Sequence, residues 1–273
     1  GIRVTPWGTI LATEETIDGA AYEILDPLSV TEETVTDRNL GTVTDPVNIV
    51  KRAALPIIAW EGIAILPNGV VIAGDEFPPG LGANFGTPDA DGGAIYKFIP
   101  DVLRYDDTEI SDLNDSPLVS GRVYALQINC FEDLIFGQVL FGQGCEVGIG
   151  SWVEVSATFA RFDADAFGAT GYMRPEDLHR DPMFEAPVDS PEAIRFCWTN
   201  TGNAGAEHFG EIIYAVDKDS VSADNFGRTV VVNRFVEGDT DFNSFDNLAF
   251  QPVSGNLYVL EDHINGDIFA CLR

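Results

Sequence analysis

Basic residues are scarce in this sequence. Lys and Arg together number 15 against 44 Asp and Glu, which gives a formal net charge of −29 at pH 7. Nucleic-acid phosphates are bound by basic patches, so this balance excludes nucleic acid as a partner. Most of the acidic side chains are expected to form a solvated surface, and the surplus also suggests that some of them bind hard cations.

Long apolar runs and familiar catalytic motifs are also missing. No stretch approaches the roughly 20 residues that a membrane-spanning helix needs. There is no G-x-S-x-G elbow, no H-E-x-x-H, no phosphate-binding P-loop and no dinucleotide fingerprint. The three histidines, His179, His208 and His263, are scattered along the chain, and a lone histidine is more often structural than catalytic.

The four cysteines fit no zinc site, because none lies two to four residues from another. Cys130 and Cys145 flank a glycine-containing segment and would suit a disulfide if the protein is exported. The alternative is that the cysteines are small buried side chains.

Strand and turn signals dominate what is present. Short β-branched and aromatic runs alternate with turn residues, as in LPNGVV, QPVSGNL and RFVEGDTDF. Within LPNG, Asn68 and Gly69 tolerate the positive φ of a tight hairpin turn. Helical periodicity is weak throughout, so the sequence predicts an all-β fold.

Three strand-like segments end in an acidic pair at one spacing. Each runs from a glycine through apolar residues to two adjacent carboxylates: GTILATEE (8–15), GVVIAGDE (69–76) and GNLYVLED (255–262). A fourth segment of the same length, AIRFCWTN (193–200), ends in two polar residues. In EGIAILPNGVVIAGDE and DNLAFQPVSGNLYVLED, an acidic residue also precedes the first strand, and PEDLHRDPMFEAPVDSPEAIRFCWTN follows the same plan with a longer turn.

Hairpin geometry places these oxygens together. The start of the first strand lies beside the end of the second, so we expect three neighbour sets: Glu61 with Asp75 and Glu76, Glu176 with Thr199 and Asn200, and Asp246 with Glu261 and Asp262. Hairpins repeated around an axis form a β-propeller, whose inner strands would bring these ends to one mouth of the channel. We therefore predict a single β-propeller domain over residues 1–273, with long inserted loops.

A ring of carboxylates at that mouth calls for cations. Two carboxylates about 4 Å apart repel by about 4 kcal/mol at an effective dielectric near 20. Carboxylates with amide and backbone oxygens are the ligands that Ca²⁺ takes, roughly six to eight at a time. The alternative is that these residues are strand ends that face solvent.

One arginine lies within this set. Arg174 is two residues before Glu176, and a guanidinium can bind a phosphate through two parallel hydrogen bonds. Arg174 therefore fits a clamp on an anionic substrate, and the alternative is an ion pair with a neighbouring acid.

Five segments, in order along the chain, resemble the PhoX-type alkaline phosphatase family: TPWGTILATEE, WEGIAILPNGVVIAGDE, GGAIYKFIPD, MRPEDLHRDP and FDNLAFQPVSGNLYVLED. Members of that family are secreted bacterial β-propeller enzymes that hydrolyse phosphomonoesters with calcium and iron. The resemblance runs from Thr5 to the C-terminus, and TPWGT with its acidic pair and RPED are its most specific parts.

The resemblance implies roles for individual residues. Arg174 would contact the substrate phosphate and, with Glu176, take part in catalysis. A metal cluster would be formed by seven carboxylates: Glu14, Glu15, Glu61, Glu176, Asp246, Glu261 and Asp262. Asp75 and Glu76 would be weaker candidates for the same cluster. The resemblance also implies a secreted or periplasmic protein without a membrane span, which acts on small phosphomonoesters.

One position departs from the family pattern. The family usually carries a cysteine directly before the two glutamates, where its thiolate binds iron, and this chain has Thr13 there. A hydroxyl is a much poorer iron ligand than a thiolate, so calcium is expected and iron is in doubt. A calcium-only enzyme, an iron enzyme with a changed ligand and a relative without turnover all stay open.

Two other functions stay open as well. One is a calcium-stabilised propeller that serves as a surface or assembly module without turnover. The other is a calcium-dependent lactonase or esterase, which Arg174 argues against because a lactone offers no dianion for it to bind. Family members carry an export segment before TPWGT and further strands after the last acidic pair. We therefore expect the chain to be part of a larger propeller, completed by further residues or by a partner chain.

Overall fold

Antiparallel strands and tight turns make up most of the described chain. The computed structural model describes residues 1–30, 32–44, 46–79, 92–106, 108–129, 146–223 and 229–272. Cys130 and Cys145 lie outside these ranges, and so does the disulfide predicted between them. Within the ranges there is one α-helix, α1 (Ala160–Ala166), and no helix long and apolar enough to cross a membrane. Short 3-10 helices occur at Leu113–Asp115, Pro117–Val119 and Ala204–Ala206.

The strands of the described chain confirm the all-β prediction. They are β1 (Ile2–Val4), β2 (Ile10–Thr13), β3 (Ala21–Ile24), β4 (Val35–Asp37), β5 (Thr42–Val43), β6 (Ile49–Lys51), β7 (Trp60–Ile65), β8 (Val71–Asp75), β9 (Ile95–Pro100), β10 (Gly121–Asn129), β11 (Gly148–Val155), β12 (Pro175–Arg180), β13 (Ile194–Asn200), β14 (Glu211–Asp217), β15 (Val230–Glu237), β16 (Phe245–Phe250), β17 (Leu257–Glu261) and β18 (Ile268–Cys271).

The sheets are built from successive meanders. One sheet has four strands in the order β1-β2-β3-β6, one has three strands in the order β16-β17-β18, and β4 and β5 form a separate pair. The largest sheet has nine strands in the order β12-β13-β14-β15-β11-β10-β9-β8-β7. It consists of two meanders, β7 to β11 and β12 to β15, which are joined where Gly148, Ile149 and Gly150 of β11 pair with β15.

The first strands of these meanders lie side by side. Strand β7 packs against β1 and β12, and β12 also packs against β16. Meanders that stand around an axis with their first strands innermost are the blades of a β-propeller. In the described residues, the propeller arrangement therefore brings strands β1, β7, β12 and β16 to the axis.

The hydrophobic core fills the spaces between blades. All five residues of β8 are buried, and side chains alternate between the two faces of a strand. Val71 and Ala73 belong to one core cluster, while Ile72 belongs to another. This burial on both faces explains the uninterrupted apolar run VVIA. The largest core side chains are the four tryptophans, each fully buried: Trp7, Trp60, Trp152 and Trp198.

The hairpin turn predicted at LPNG is present between β7 and β8. The Leu66 amide donates to the Val70 carbonyl at 2.8 Å, and the Gly69 amide donates to the Leu66 carbonyl at 3.0 Å. Gly69 has a φ of +92°, which glycine adopts readily because it has no Cβ. The turn places the two strand ends that carry acidic residues at the opposite end of the hairpin.

Candidate metal and phosphate site

Three inner strands share one local irregularity at their start. The pairing register shifts between Trp60 and Ile63 in β7, between Pro175 and Leu178 in β12, and between Phe245 and Leu248 in β16. The second residue of each of these segments is acidic: Glu61, Glu176 and Asp246. A β-bulge bends its strand and re-aims a side chain. Each of the three blades therefore turns one carboxylate out of the regular sheet.

The strand pairing confirms the predicted neighbour sets at the backbone. The pairs are Trp60 with Asp75, Pro175 with Asn200, and Phe245 with Glu261. Each acidic residue at the start of a first strand thus lies beside the end of the second strand.

Glu61, Glu176 and Asp246 come together to form an acidic triad. Each offers a carboxylate oxygen, and the three oxygens lie within 4.8 Å of one another. All three residues were predicted as metal ligands, and their approach depends on packing three separate blades around one axis. Their role as ligands stays a prediction.

The acidic triad retains protons that isolated carboxylates would lose. Burial, together with the carboxylates of Glu15 and Asp246, raises the pKa of Glu61 to about 7. Burial also raises the pKa of Glu176 to about 8, with a further contribution from Glu76. The hydrogen bond that Thr201 Oγ1 donates to Glu176 Oε1 (2.6 Å) acts in the opposite direction. The site therefore carries more negative charge than its surroundings stabilise.

The donor set of the acidic triad fits a hard cation. Glu61 Oε2 is buried and has no hydrogen-bond partner within the described ranges. Close carboxylates that are buried or half-buried and have raised pKa values favour a divalent cation with oxygen ligands, because its positive charge can take the place of the retained protons. The thiols of the described residues lie elsewhere, with Cys197 buried in a core cluster and Cys271 packed against it. Oxygen ligands alone match calcium better than a metal that prefers thiolate.

Arg174 lies at the edge of the triad. Its Nη2 is 2.6 Å from Glu76 Oε1 and 2.9 Å from Glu176 Oε1. Its Nε donates to Glu76 Oε1 at 3.2 Å, whereas Nη1 makes no hydrogen bond to the described part of the chain. The side chain is 35 % exposed, so Nη1 is available to an anion. Both alternatives from the sequence, the ion pair and the anion clamp, are compatible with this geometry.

The backbone of Arg174 is strained. Its φ of +59° lies in the left-handed region, which costs a non-glycine residue roughly 1–3 kcal/mol and is frequent at functional sites. The conformation is held by neighbouring backbone bonds, because the Thr201 amide donates to the Arg174 carbonyl at 3.2 Å. Thr201 therefore positions both Arg174 and Glu176.

The remaining predicted ligands divide into two groups. Glu15 and Asp262 are exposed and lie near the triad, because each raises the pKa of a triad member, Glu61 and Asp246 respectively. Glu14 and Glu261 are instead bonded to their own loops. Glu14 accepts from Arg38 Nε (2.7 Å) and the Ala20 amide (3.0 Å).

Glu261 holds the turn around it in the same way as Glu14. Its Oε1 accepts from the Asn243 amide at 2.8 Å, and its Oε2 accepts from the Asp267 amide at 3.0 Å. His263 Nε2 lies 3.2 Å from Glu261 Oε2. The described contacts of Glu14 and Glu261 stabilise loops at the rim of the site.

The polar strand ends also serve different purposes. The buried carboxylate of Asp75 pairs with Arg161 and does not join the triad, whereas Glu76 bonds Arg174. Thr199 Oγ1 donates to the Asp246 carbonyl. Asn200 donates from Nδ2 to Glu211 Oε1 at 2.8 Å.

A second polar group, which the sequence did not predict, lies further along the same strands. This channel cluster consists of Arg3, Asp177 and His179. Arg3 donates from Nη2 to Asp177 Oδ1 (2.8 Å) and from Nε to the Ile63 carbonyl (3.1 Å). His179 Nε2 lies 3.1 Å from Asp177 Oδ2, which also accepts from the Leu248 amide at 3.2 Å. The cluster therefore joins all four inner strands.

Within the channel cluster, the positive charge of Arg3 balances the negative charge of Asp177. Burial raises the pKa of Asp177, but its hydrogen bond with His179 and the charge of Arg3 outweigh burial and lower the pKa below its usual value. Asp177 is therefore ionised. The RPED motif contains Asp177 beside Glu176, but nothing in the sequence connects either residue to Arg3.

Thr13 occupies the position where the family carries a cysteine. It is the last residue of β2, and its Oγ1 donates to the Gly1 carbonyl at 2.9 Å. The hydroxyl therefore already has a hydrogen-bond acceptor in the backbone.

The fold and site together define a β-propeller protein with a cluster of three acidic residues and an arginine at its edge. The chain belongs to the PhoX family: the family model described as "Alkaline phosphatase PhoX" matches residues 67–269. This confirms the resemblance stated from the sequence motifs. No curated protein matches the chain.

A solved structure of Pseudomonas fluorescens PhoX, in complex with vanadate, a transition state analogue, is similar in fold. The two chains are 19 % identical and superpose with a TM-score of 0.55. The superposition covers 98 % of this chain and 57 % of the Pseudomonas chain, so this chain spans a little over half the length of that relative. The likeness confirms the β-propeller prediction.

Proposed function

We propose that this chain is a PhoX-like, metal-dependent phosphomonoester hydrolase that binds calcium at the acidic triad. The observation that carries the proposal is the position of Arg174, which offers a free Nη1 directly beside Glu176. Membership of an alkaline phosphatase family supports the reaction class.

The acidic triad would hold the cation from three directions. Glu61, Glu176 and Asp246 each offer an oxygen to a common point, and Thr201 orients Glu176 through its hydroxyl. When bound, a divalent cation neutralises phosphoryl oxygens and lowers the pKa of nearby water. Exposed Glu15 and Asp262 would add ligands from the rim.

Arg174 would bind the phosphate and stabilise its charge. The contacts to Glu76 and Glu176 keep Nη2 and Nε in place, which leaves the other edge of the guanidinium toward the ligand. Hydrogen bonds between charged partners are about twice as strong as neutral ones. Because the chain has a net charge of −29, an anionic substrate is repelled at long range, and the local positive charge of Arg174 and the cation must overcome this repulsion.

The test combines elemental analysis with turnover of p-nitrophenyl phosphate on one purified sample. We expect calcium in the protein, loss of turnover on chelation and recovery on adding calcium. Arg174→Gln should retain calcium and lose turnover, while the matched control Arg122→Gln, an exposed arginine paired with Glu154, should retain both. Iron in the sample would show that Thr13 does not prevent its binding.

A calcium-stabilised propeller without turnover is the second candidate, and Thr13 in place of a metal-binding cysteine favours it. Calcium without turnover in the wild-type protein, with a chelator-sensitive melting temperature, would establish it. A sample without any bound metal would contradict both candidates.

A further inference from the structure

A large cleft lies at the other end of the inner strands from the acidic triad. It has a volume of about 790 Å³ and is bounded by the β7–β8 turn, the segment after β9, and the connection from β12 to β13. Leu66 and Arg180 both line it, and they follow Glu61 and Glu176 by five and four residues in the sequence. At about 3.3 Å per strand residue, the cleft is about 13–16 Å from the triad. It is therefore a separate site.

An arginine without a counter-ion lines this cleft. Arg180 is exposed and forms no ion pair or hydrogen bond through its side chain with the described residues. This is unusual in a chain with so few basic residues. Nine other arginines of the described residues each contact a carboxylate: Arg3, Arg38, Arg52, Arg104, Arg122, Arg161, Arg174, Arg195 and Arg234. Arg180 thus offers a full set of donors to a ligand.

A second arginine in the cleft is only partly satisfied. Arg104 bonds Asp106 and Thr108 through Nη2. Its Nε is buried and has no acceptor in the described part of the chain, and a buried donor without an acceptor costs roughly 1–3 kcal/mol. The cleft therefore contains two guanidinium groups with unused N–H donors.

The walls between these cations are rigid and partly aromatic. Tyr105 is 76 % exposed and lines the cleft together with Phe184. Three prolines also line the cleft, Pro6, Pro67 and Pro191, and so do the acidic residues Asp106, which is paired with Arg104, and Glu192. The exposed ring of Tyr105 presents a flat apolar surface at low conformational cost, which suits the stacking of a planar ring.

We propose that this cleft binds a small organic anion in which a planar ring carries a carboxylate or a phosphate. The ring would lie against Tyr105, and Arg180 would bind the anionic group. The net charge of −29 makes unspecific anion binding weak, so an anion held here must depend on these particular cations.

Binding of benzoate, phenylphosphonate and acetate by titration calorimetry tests the proposal. Benzoate carries a carboxylate on the ring and phenylphosphonate carries a phosphonate, so the two ligands show which anionic group the cleft prefers. Acetate carries a carboxylate without a ring. We expect saturable binding of at least one ring-bearing anion and weaker binding of acetate. Arg180→Gln should raise the dissociation constant of the ring-bearing anion by about tenfold or more, because a charged hydrogen-bond partner is lost.

Two matched variants locate the site. Arg122→Gln removes the same charge from the exposed face of β10 and should leave the dissociation constant unchanged. Arg174→Gln removes the arginine beside the triad, and we expect it to leave the dissociation constant unchanged. Unchanged binding would place the ligand in the cleft rather than at the triad. The result would then be independent of the proposed phosphatase activity. The proposal fails if wild-type protein binds neither ring-bearing anion, or if Arg180→Gln and Arg122→Gln have equal affinities.

Discussion

Arg161 binds both oxygens of the Asp75 carboxylate. Nε donates to Oδ2 at 2.8 Å and Nη2 donates to Oδ1 at 2.6 Å. Arg161 Nη1 also donates to the Ile17 carbonyl at 2.9 Å, and the Ala59 amide donates to Asp75 Oδ1 at 2.8 Å. This pair therefore ties helix α1 to the end of β8, directly before Glu76, and to the loop that follows Glu15.

Removing Arg161 should destabilise the protein strongly. Asp75 is fully buried, and Arg161→Met would leave its charge without a counter-ion. We expect the free energy of unfolding in urea to fall by about 3–5 kcal/mol, as is typical when one partner of a buried ion pair is lost. Arg122→Met, which removes a mostly exposed arginine, should change it by less than about 0.5 kcal/mol. Equal effects of the two substitutions would contradict a structural role for the pair.

Glu176→Gln should weaken calcium binding while preserving the fold. The substitution removes one charge from the acidic triad but keeps the shape of the side chain, so we expect calcium affinity to fall by about tenfold or more. Calorimetric titration of metal-free protein measures this change. Glu154→Gln, on an exposed carboxylate of β11, is the matched control. Unchanged calcium content and turnover in Glu176→Gln would remove Glu176 from the site.

The metal-free protein should lose stability as pH rises. Folding raises the pKa of Glu61 and Glu176 from 4.5 to about 7 and about 8, so the folded chain binds these protons more tightly than the unfolded chain. Their contribution to the free energy of unfolding therefore falls between about pH 4.5 and pH 8. Melting temperatures of chelated protein across this range measure the slope, which should be smaller in the double variant Glu61→Gln/Glu176→Gln.

Calcium binding should show the opposite pH dependence. A cation competes with the protons on Glu61 and Glu176, so calcium affinity should rise from pH 5 toward pH 8 and binding should release protons. Titrations in buffers of different ionisation enthalpy count those protons. A calcium affinity that is independent of pH would mean that the cation does not bind these two carboxylates.

Gly62 should tolerate no side chain. A Cβ at this position would lie 2.3 Å from the Leu178 nitrogen and 2.4 Å from the Glu176 carbonyl oxygen, so Gly62→Ala must push β7 and β12 apart. We expect a loss of roughly 1–3 kcal/mol in stability, as for overpacked cores, and weaker calcium binding because Glu61 and Glu176 separate. The control Gly205→Ala would place its Cβ 3.2 Å from the movable Asn203 side chain, and near-equal melting temperatures for the two variants would refute the close contact.

Local strand geometry explains which parts of the site the sequence predicts. The pairing of Trp60 with Asp75 and of Phe245 with Glu261 follows from the turn residues and the apolar runs, because a hairpin folds from neighbouring residues. The convergence of the acidic triad follows in turn from the repetition of one hairpin plan. Two of the three hairpins that carry the triad share one spacing and the third has a longer turn, so the repeated plan indicates a shared axis even though each segment alone predicts only a strand.

Long-range pairing explains what the sequence does not predict. Arg161 and Asp75 are 86 residues apart, and Arg3 and Asp177 are 174 residues apart. Nothing in the local sequence of either residue identifies its partner, since the contact exists only after the blades have packed. The same reason accounts for Glu14, whose position in the acidic pair resembles that of Glu15 but whose carboxylate binds Arg38.

The channel cluster fixes the four inner strands relative to one another beside the triad. Bonds from Arg3 to Ile63 and Asp177, and from the Leu248 amide to Asp177, connect the inner strands just beyond the three carboxylates. The strands that carry the three carboxylates are therefore coupled: a shift of one of them strains the bonds of Arg3 or Asp177 and so changes the positions of the other two.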